Sequence, residues 1–125
     1  MKTMKLDAGI PTDLTKVGAR AKALEEAGYD GALTAETGHD PFLPLVIAAE
    51  HTERIQLGTA IAVAFARNPM LLANLGHDLN SFSKGRFVLG LGSQIRAHIT
   101  KRFSMPWSHP AARMREMVLA TRAIW

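Results

Sequence analysis

The chain has no cysteine. That excludes a disulfide framework and a zinc site built on thiolates. It also lacks any run approaching the ~18 apolar residues that a membrane-spanning helix needs. The basic opening, Met1-Lys2-Thr3-Met4-Lys5, resembles the start of a secretory leader, but Asp7, Gly9 and Pro11 interrupt the apolar stretch a leader requires. A soluble, cytoplasmic protein is therefore expected. Aromatic residues are scarce at 6%. Phe103, Trp107 and Trp125, which lie among the basic residues, form no stacking pattern on an evident strand platform, so nucleic acid is not an expected partner. No low-complexity linker divides the 125 residues, and one domain spanning 1–125 is expected.

Apolar residues make up 47% of the chain, enough for a core. Charge is distributed unevenly. Residues 1–83 hold seven Lys/Arg against ten Asp/Glu, whereas residues 84–125 hold eight Lys/Arg against Glu116 alone. Such a basic segment is either a solvated helix face or the surroundings of an anion, phosphate or carboxylate.

Strand and helix signals alternate along the chain. Residues 5–10 read as a strand stopped by Pro11. Thr12 or Asp13 caps a following helix whose stripe is Leu14, Val17, Ala21 and Leu24, and Gly28 ends it. Residues 29–35 form a second strand. Asp40-Pro41 starts a second helix, carrying Phe42, Leu45, Val46 and Ala49 on one face. Residues 55–65 are almost wholly apolar without alternation, as in a parallel strand buried on both faces. Asn68-Pro69 opens a third helix with Leu72, Leu75, Leu79 and Phe82, and Gly85 closes it. Residues 87–91 form a fourth strand. A polar loop of roughly 16 residues follows, a length usually tied to function or disorder, and Pro110 opens a last helix with Met114, Met117, Val118 and Ile124 on one side.

Four strand-then-helix units imply a parallel sheet with right-handed crossovers. Both an open flavodoxin-like sheet and half of a (β/α)8 barrel satisfy that pattern. The fourth strand ends in Gly90-Leu91-Gly92, whose spacing invites a dinucleotide-binding reading, but Ile95 stands where the third glycine belongs. The glycines mark instead a strand end where backbone approaches something closely.

Four segments together resemble the N-terminal half of the luciferase-like oxidoreductases: Leu57-Gly58-Thr59-Ala60-Ile61, Ala66-Arg67-Asn68-Pro69, Gly85 through Gly92, and Arg113 through Trp125. The resemblance covers essentially the whole chain and is greatest to the actinobacterial branch that uses the deazaflavin coenzyme F420, other branches using FMN. It implies an α/β fold of four βα units with parallel strands, half of a (β/α)8 TIM-type barrel, and so selects the barrel over the open sheet. It also implies hydride transfer with F420 on a small organic substrate. FMN-dependent monooxygenation is the alternative, and a non-catalytic half-barrel that only self-assembles is a third reading.

The resemblance places the ring of the cofactor at the C-terminal mouth of the barrel, against a bulge in strand three whose non-proline cis peptide matches Ala60–Ile61. It places Glu36 at the end of strand two as a catalytic candidate. Thr37 takes the place where many members carry histidine, and His39 is the substitute. Gly92 and Ser93 match a cofactor-contacting edge, and Arg96 and Arg102 are candidates for the anionic part of the cofactor. His98 and His109 have no carboxylate at ligand spacing, so no metal is expected. His51 and His77 read as helix surface or packing residues. Half a barrel leaves strand edges and inward residues such as Ile61, Val63, Val88 or Leu89 uncovered, so a homo-oligomer is expected.

Overall fold

The computed structural model describes residues 4–125; the leader-like residues 1–3 lie outside them. Strand β1 is Asp7–Gly9, and helix α1 follows at Leu14–Glu26. Asp13 caps α1 by accepting the Thr15 backbone N–H, and Gly28 takes the left-handed conformation at its end, φ 88°. Strand β2 is Gly31–Thr34 and helix α2 is Leu43–His51. The α2 start differs from the expected Asp40-Pro41. Asp40 does accept the Phe42 and Leu43 N–H groups, but the first-turn proline is Pro44.

The third strand is also not the single run expected over 55–65. It appears as β3, Gln56–Thr59, and β4, Ala62–Val63, followed by a 3-10 turn at Ala64–Ala66. The interruption falls at the Ala60–Ile61 peptide, which is cis. Helix α3, Pro69–Phe82, has the expected Asn68 cap on the Leu71 N–H. The fourth strand is likewise split, into β5, Phe87–Val88, and β6, Leu91–Gly92. The long loop contains one π-helical turn, His98–Arg102, before helix α4 at Pro110–Ile124. Among the described residues no helix is long and apolar enough to cross a membrane.

All pairings are parallel. The main sheet has the order β1-β2-β3-β5, and β4 pairs with β6 beyond the two breaks. Helices α1 to α3 cover one face, where Val17, Ala21, Leu24, Leu45, Ala48, Leu72 and Leu79 bury Ala32, Ile55 and Leu57. Leu33, Gly58 and Val88 are in register across the other face. Of the side chains expected to be uncovered, Val88 is 47% exposed, whereas Val63 is fully buried and Leu89 packs against the helix-side core. The uncovered face is sparse in large side chains because glycines 9, 31 and 58 occupy it.

Two side chains fasten the N-terminal end of the sheet. The Arg86 guanidinium donates to the carbonyls of Ala49, Thr52, Ile55 and to the Thr52 hydroxyl, while its Nε reaches the Ser83 carbonyl. The Glu25 carboxylate accepts the N–H groups of Glu53, Arg54 and Ile55 at 2.7–3.1 Å. Burial opposes its charge, but those three donors and the Arg54 cation outweigh it and hold Glu25 below its ordinary 4.5.

A carboxylate more acidic in the folded than in the unfolded chain stabilises fully above its unfolded value, and that stability is lost as pH falls through the folded one. Glu25→Gln is therefore expected to cost about 1–3 kcal/mol near neutrality. The gap from wild type should narrow below pH 4.5. Urea midpoints of both proteins at pH ~7 and ~3.5 check this; equal midpoints at neutrality would show that Glu25 carries no load.

Candidate functional site

The C-terminal ends of the strands converge around Glu36. Past β2 the chain turns this side chain inward, leaving it 8% exposed. Its Oε2 accepts the Val63 N–H at 2.6 Å, and Arg67 Nη1 donates to Oε2 at 2.7 Å and Oε1 at 3.0 Å. The same Nη1 reaches the Val63 carbonyl at 3.0 Å, and Nη2 lies 3.6 Å from Asp40. The guanidinium also stands 5.1 Å over the Phe42 ring. The Glu36 and Ala60 backbone N–H groups continue the β2–β3 contact by donating to the Ile61 and Thr34 carbonyls.

Two glycines permit the bulge to close on the fourth strand. Thr59 and Gly90 exchange hydrogen bonds through the Thr59 hydroxyl, at 2.7 and 2.9 Å. A Cβ on residue 90 would fall onto the Thr59 carbonyl oxygen, so the close approach requires glycine. At residue 92 a Cβ would lie 2.6 Å from Ile61 Cδ1. Glycine there lets the Ile61 side chain lie flat against β6.

Glu36, His39 and Arg102 line one polar cleft of about 250 Å³, together with Gly38, Asp40, Arg67 and Phe103. His39 is exposed, with no hydrogen bond or ion pair among the described residues. Arg102 is exposed and stacks over Phe103 at 5.2 Å. A larger cavity of about 460 Å³ lies between α2 and α3, but Phe42, Leu43, Val46, Leu75, Leu79 and Phe82 make it almost wholly apolar. Asp40 and Asp78 are the only titratable groups lining that cavity among the described residues, whereas the cleft brings a carboxylate, a histidine and two arginines together.

The candidate residues thus fall into two adjoining sets. Gly92 meets Ile61 beside the exposed Ala60, and Ser93 follows with its hydroxyl on the Gln94 carbonyl. Glu36, His39 and Arg102 form the cleft. Arg96 is exposed and does not line it. Among the described residues no three His, Asp or Glu side chains gather as a metal site. Arg67 is the residue that reading the sequence missed as a site member. Its partner Glu36 is 31 positions away, and the only local signal is an arginine directly before the Asn68-Pro69 helix start.

A parallel βα array with its polar cleft at the C-terminal strand ends has the plan of a barrel-type enzyme. The chain belongs to the luciferase-like monooxygenase family, whose model matches residues 3–125. It is 64% identical over 124 residues to the Mycobacterium tuberculosis protein Rv1360, covering 99% of this chain and 36% of that one. It is 35% identical over 104 residues to the putative coenzyme F420-dependent oxidoreductase Rv3520c of the same species, covering 82% and 30%. The fold matches the oxygenating constituent of 3,6-diketocamphane monooxygenase from Pseudomonas putida, solved with FMN: TM-score 0.85, 16% identity, 98% of this chain and 40% of that one. The chain therefore spans about a third of the length of these curated relatives. Its fold is that of four consecutive βα units of a (β/α)8 barrel, and the family's members are oxidoreductases and monooxygenases of small molecules.

Removing one member of a buried ion pair strands the other charge at a cost of about 3–5 kcal/mol. Arg67→Met is expected at the low end of that range, because the Val63 N–H still serves Glu36. Adding Glu36→Gln should recover part of the loss. Denaturant unfolding of the two singles and the double tests the coupling, and strictly additive losses would contradict it.

Proposed function

We propose that residues 1–125 form the N-terminal (βα)4 domain of an oxidoreductase that transfers hydride between coenzyme F420 and a small organic substrate. The observation carrying this reading is the apolar ledge of Ile61 against Gly92, set beside a cleft with an exposed histidine and an exposed arginine. That combination suits a planar ring bearing an anionic tail. The similarity to Rv3520c, a putative coenzyme F420-dependent oxidoreductase, supports the same cofactor.

When bound, F420 supplies the hydride chemistry, and the protein's part is orientation and electrostatics. Ala60, Ile61, Gly92 and Ser93 would hold the ring. Arg102 would meet the anionic tail at the cleft, with Arg96 further out. His39, with no partner of its own, is the side chain available to give or take a proton at the substrate. Both oxygens of Glu36 are already occupied, so its contribution to catalysis runs through the positions of Arg67 and the Val63 backbone.

FMN with monooxygenation is the second reading, supported by the match to the FMN-bound Pseudomonas putida structure. Titration with F420 and with FMN, followed by absorbance and fluorescence, separates the two. Saturable F420 binding is expected; FMN binding without F420 binding would replace the first reading by the second. His39→Gln should leave F420 affinity unchanged while lowering turnover by about 10²-fold or more, and unchanged turnover would remove His39 from the mechanism. Self-association through the free edges of β1 and β5 belongs to the same proposal, and a compact monomer in sedimentation at micromolar concentration would contradict it.

A further inference from the structure

The loop that carries Arg102 is held by a cluster outside the cleft. Three of its non-glycine residues are left-handed: Gln94 at φ 59°, Ser104 at φ 54° and His109 at φ 42°. Conformations of that kind persist where surrounding contacts enforce them. Here Ile99, fully buried in the π-helical turn, packs with Phe103 and Trp107 against Phe65, itself 1% exposed. Trp107 meets Phe65 edge-on, with centroids 5.8 Å apart at 70°. From α4 the Arg113 guanidinium stands 4.2 Å over the Phe65 ring and donates to the Pro106 carbonyl at 3.1 Å.

Phe65 precedes Arg67 by two residues, and Ile99 precedes Arg102 by three. Phe65 and Ile99 belong to one apolar cluster, on which Phe103 of the cleft and Trp107 of the loop pack. Nothing else in α4 reaches the loop by a hydrogen bond from a side chain among the described residues. Neither Arg113 nor Trp107 lines the cleft.

We infer that Arg113 and Trp107 are positioning residues, which clamp the loop on Phe65 so that Arg102 stands at the cleft for an anionic group of the ligand. The ligand half of this inference rests on the proposed F420 reading; the clamp itself does not. A cation over an aromatic face retains its attraction when lysine replaces arginine, but lysine cannot reproduce the planar stack together with the directed hydrogen bond. Arg113→Lys should therefore be intermediate between wild type and Arg113→Met.

The test has two readouts. The chain has two tryptophans, so in a Trp125→Phe background the emission of Trp107 reports the loop alone. Adding Arg113→Met should raise acrylamide quenching of Trp107 and speed hydrogen exchange over residues 98–105, with exchange in β2 and β3 unchanged. Arg113→Lys should recover part of both. Unchanged quenching and exchange in Arg113→Met would overturn the clamp whether or not any cofactor binds. The second readout is F420 affinity. Arg113→Met is expected to weaken it by about tenfold, and to weaken it no further when Arg102→Ala is already present. An equal loss in the Arg102→Ala background would show Arg113 acting on the ligand by itself and overturn the positioning role. Absence of F420 binding by the wild type would fail the cofactor reading, and the quenching and exchange data would then decide the clamp.

Discussion

The buried carboxylate of Glu36 constrains the whole mouth of the sheet. A charge removed from water is tolerated only when donors replace the water it loses. Here one donor is the Val63 N–H, just past the Ala60–Ile61 step, and the other is Arg67 at the entrance to α3. Satisfying that one group brings the end of β2, the end of β4 and the entrance to α3 together. Arg67 in turn lies over Phe42 and near Asp40, the residue whose carboxylate serves the start of α2. The Glu36 carboxylate is thus the point from which the Glu36–Arg67 wall of the candidate site takes its position.

The two ends of the sheet use charge differently. At the N-terminal end Glu25 and Arg86 spend their hydrogen bonds on backbone groups, fixing how strands enter the sheet. At the C-terminal end His39 and Arg102 are exposed at the cleft. Stability at one end and chemistry at the other is the usual division in parallel βα barrels. It also assigns three of the eight basic residues beyond residue 83. Arg86 and Arg113 are structural, and Arg102 is the cation of that segment that lines the cleft.

The helices were legible because their signals are local. Asp13 and Asn68 cap α1 and α3 as their positions suggest, and Val17, Ala21, Leu24, Leu45, Ala49, Leu72 and Leu79 of the expected stripes are buried, whereas Leu14, Val46, Phe82, Val118 and Ile124 at the stripe margins stay exposed. The strands were legible in order but not in continuity. An apolar run such as 55–65 reads the same whether it is one strand or two pieces around a bulge, since hydrophobicity reports burial and not backbone path. The Ala60–Ile61 step was reachable only through resemblance to a family. Gly90 was visible as a glycine, but its reason, the Thr59 carbonyl in the adjacent strand, depends on register. Arg67 and the Phe65–Trp107–Arg113 cluster were invisible for the same reason: their partners lie tens of residues away along the chain.

The central claim is that Glu36 shapes the mouth without being the reacting group. A crystal structure of the protein with F420 bound tests it most directly. The claim predicts that Glu36 still accepts the Val63 N–H and still pairs with Arg67, as it does at 2.6 and 2.7 Å, with the ring against Ile61 and Gly92 and with His39 nearest the substrate side. A Glu36 carboxylate released from Arg67 and turned onto the ring or the substrate would contradict it.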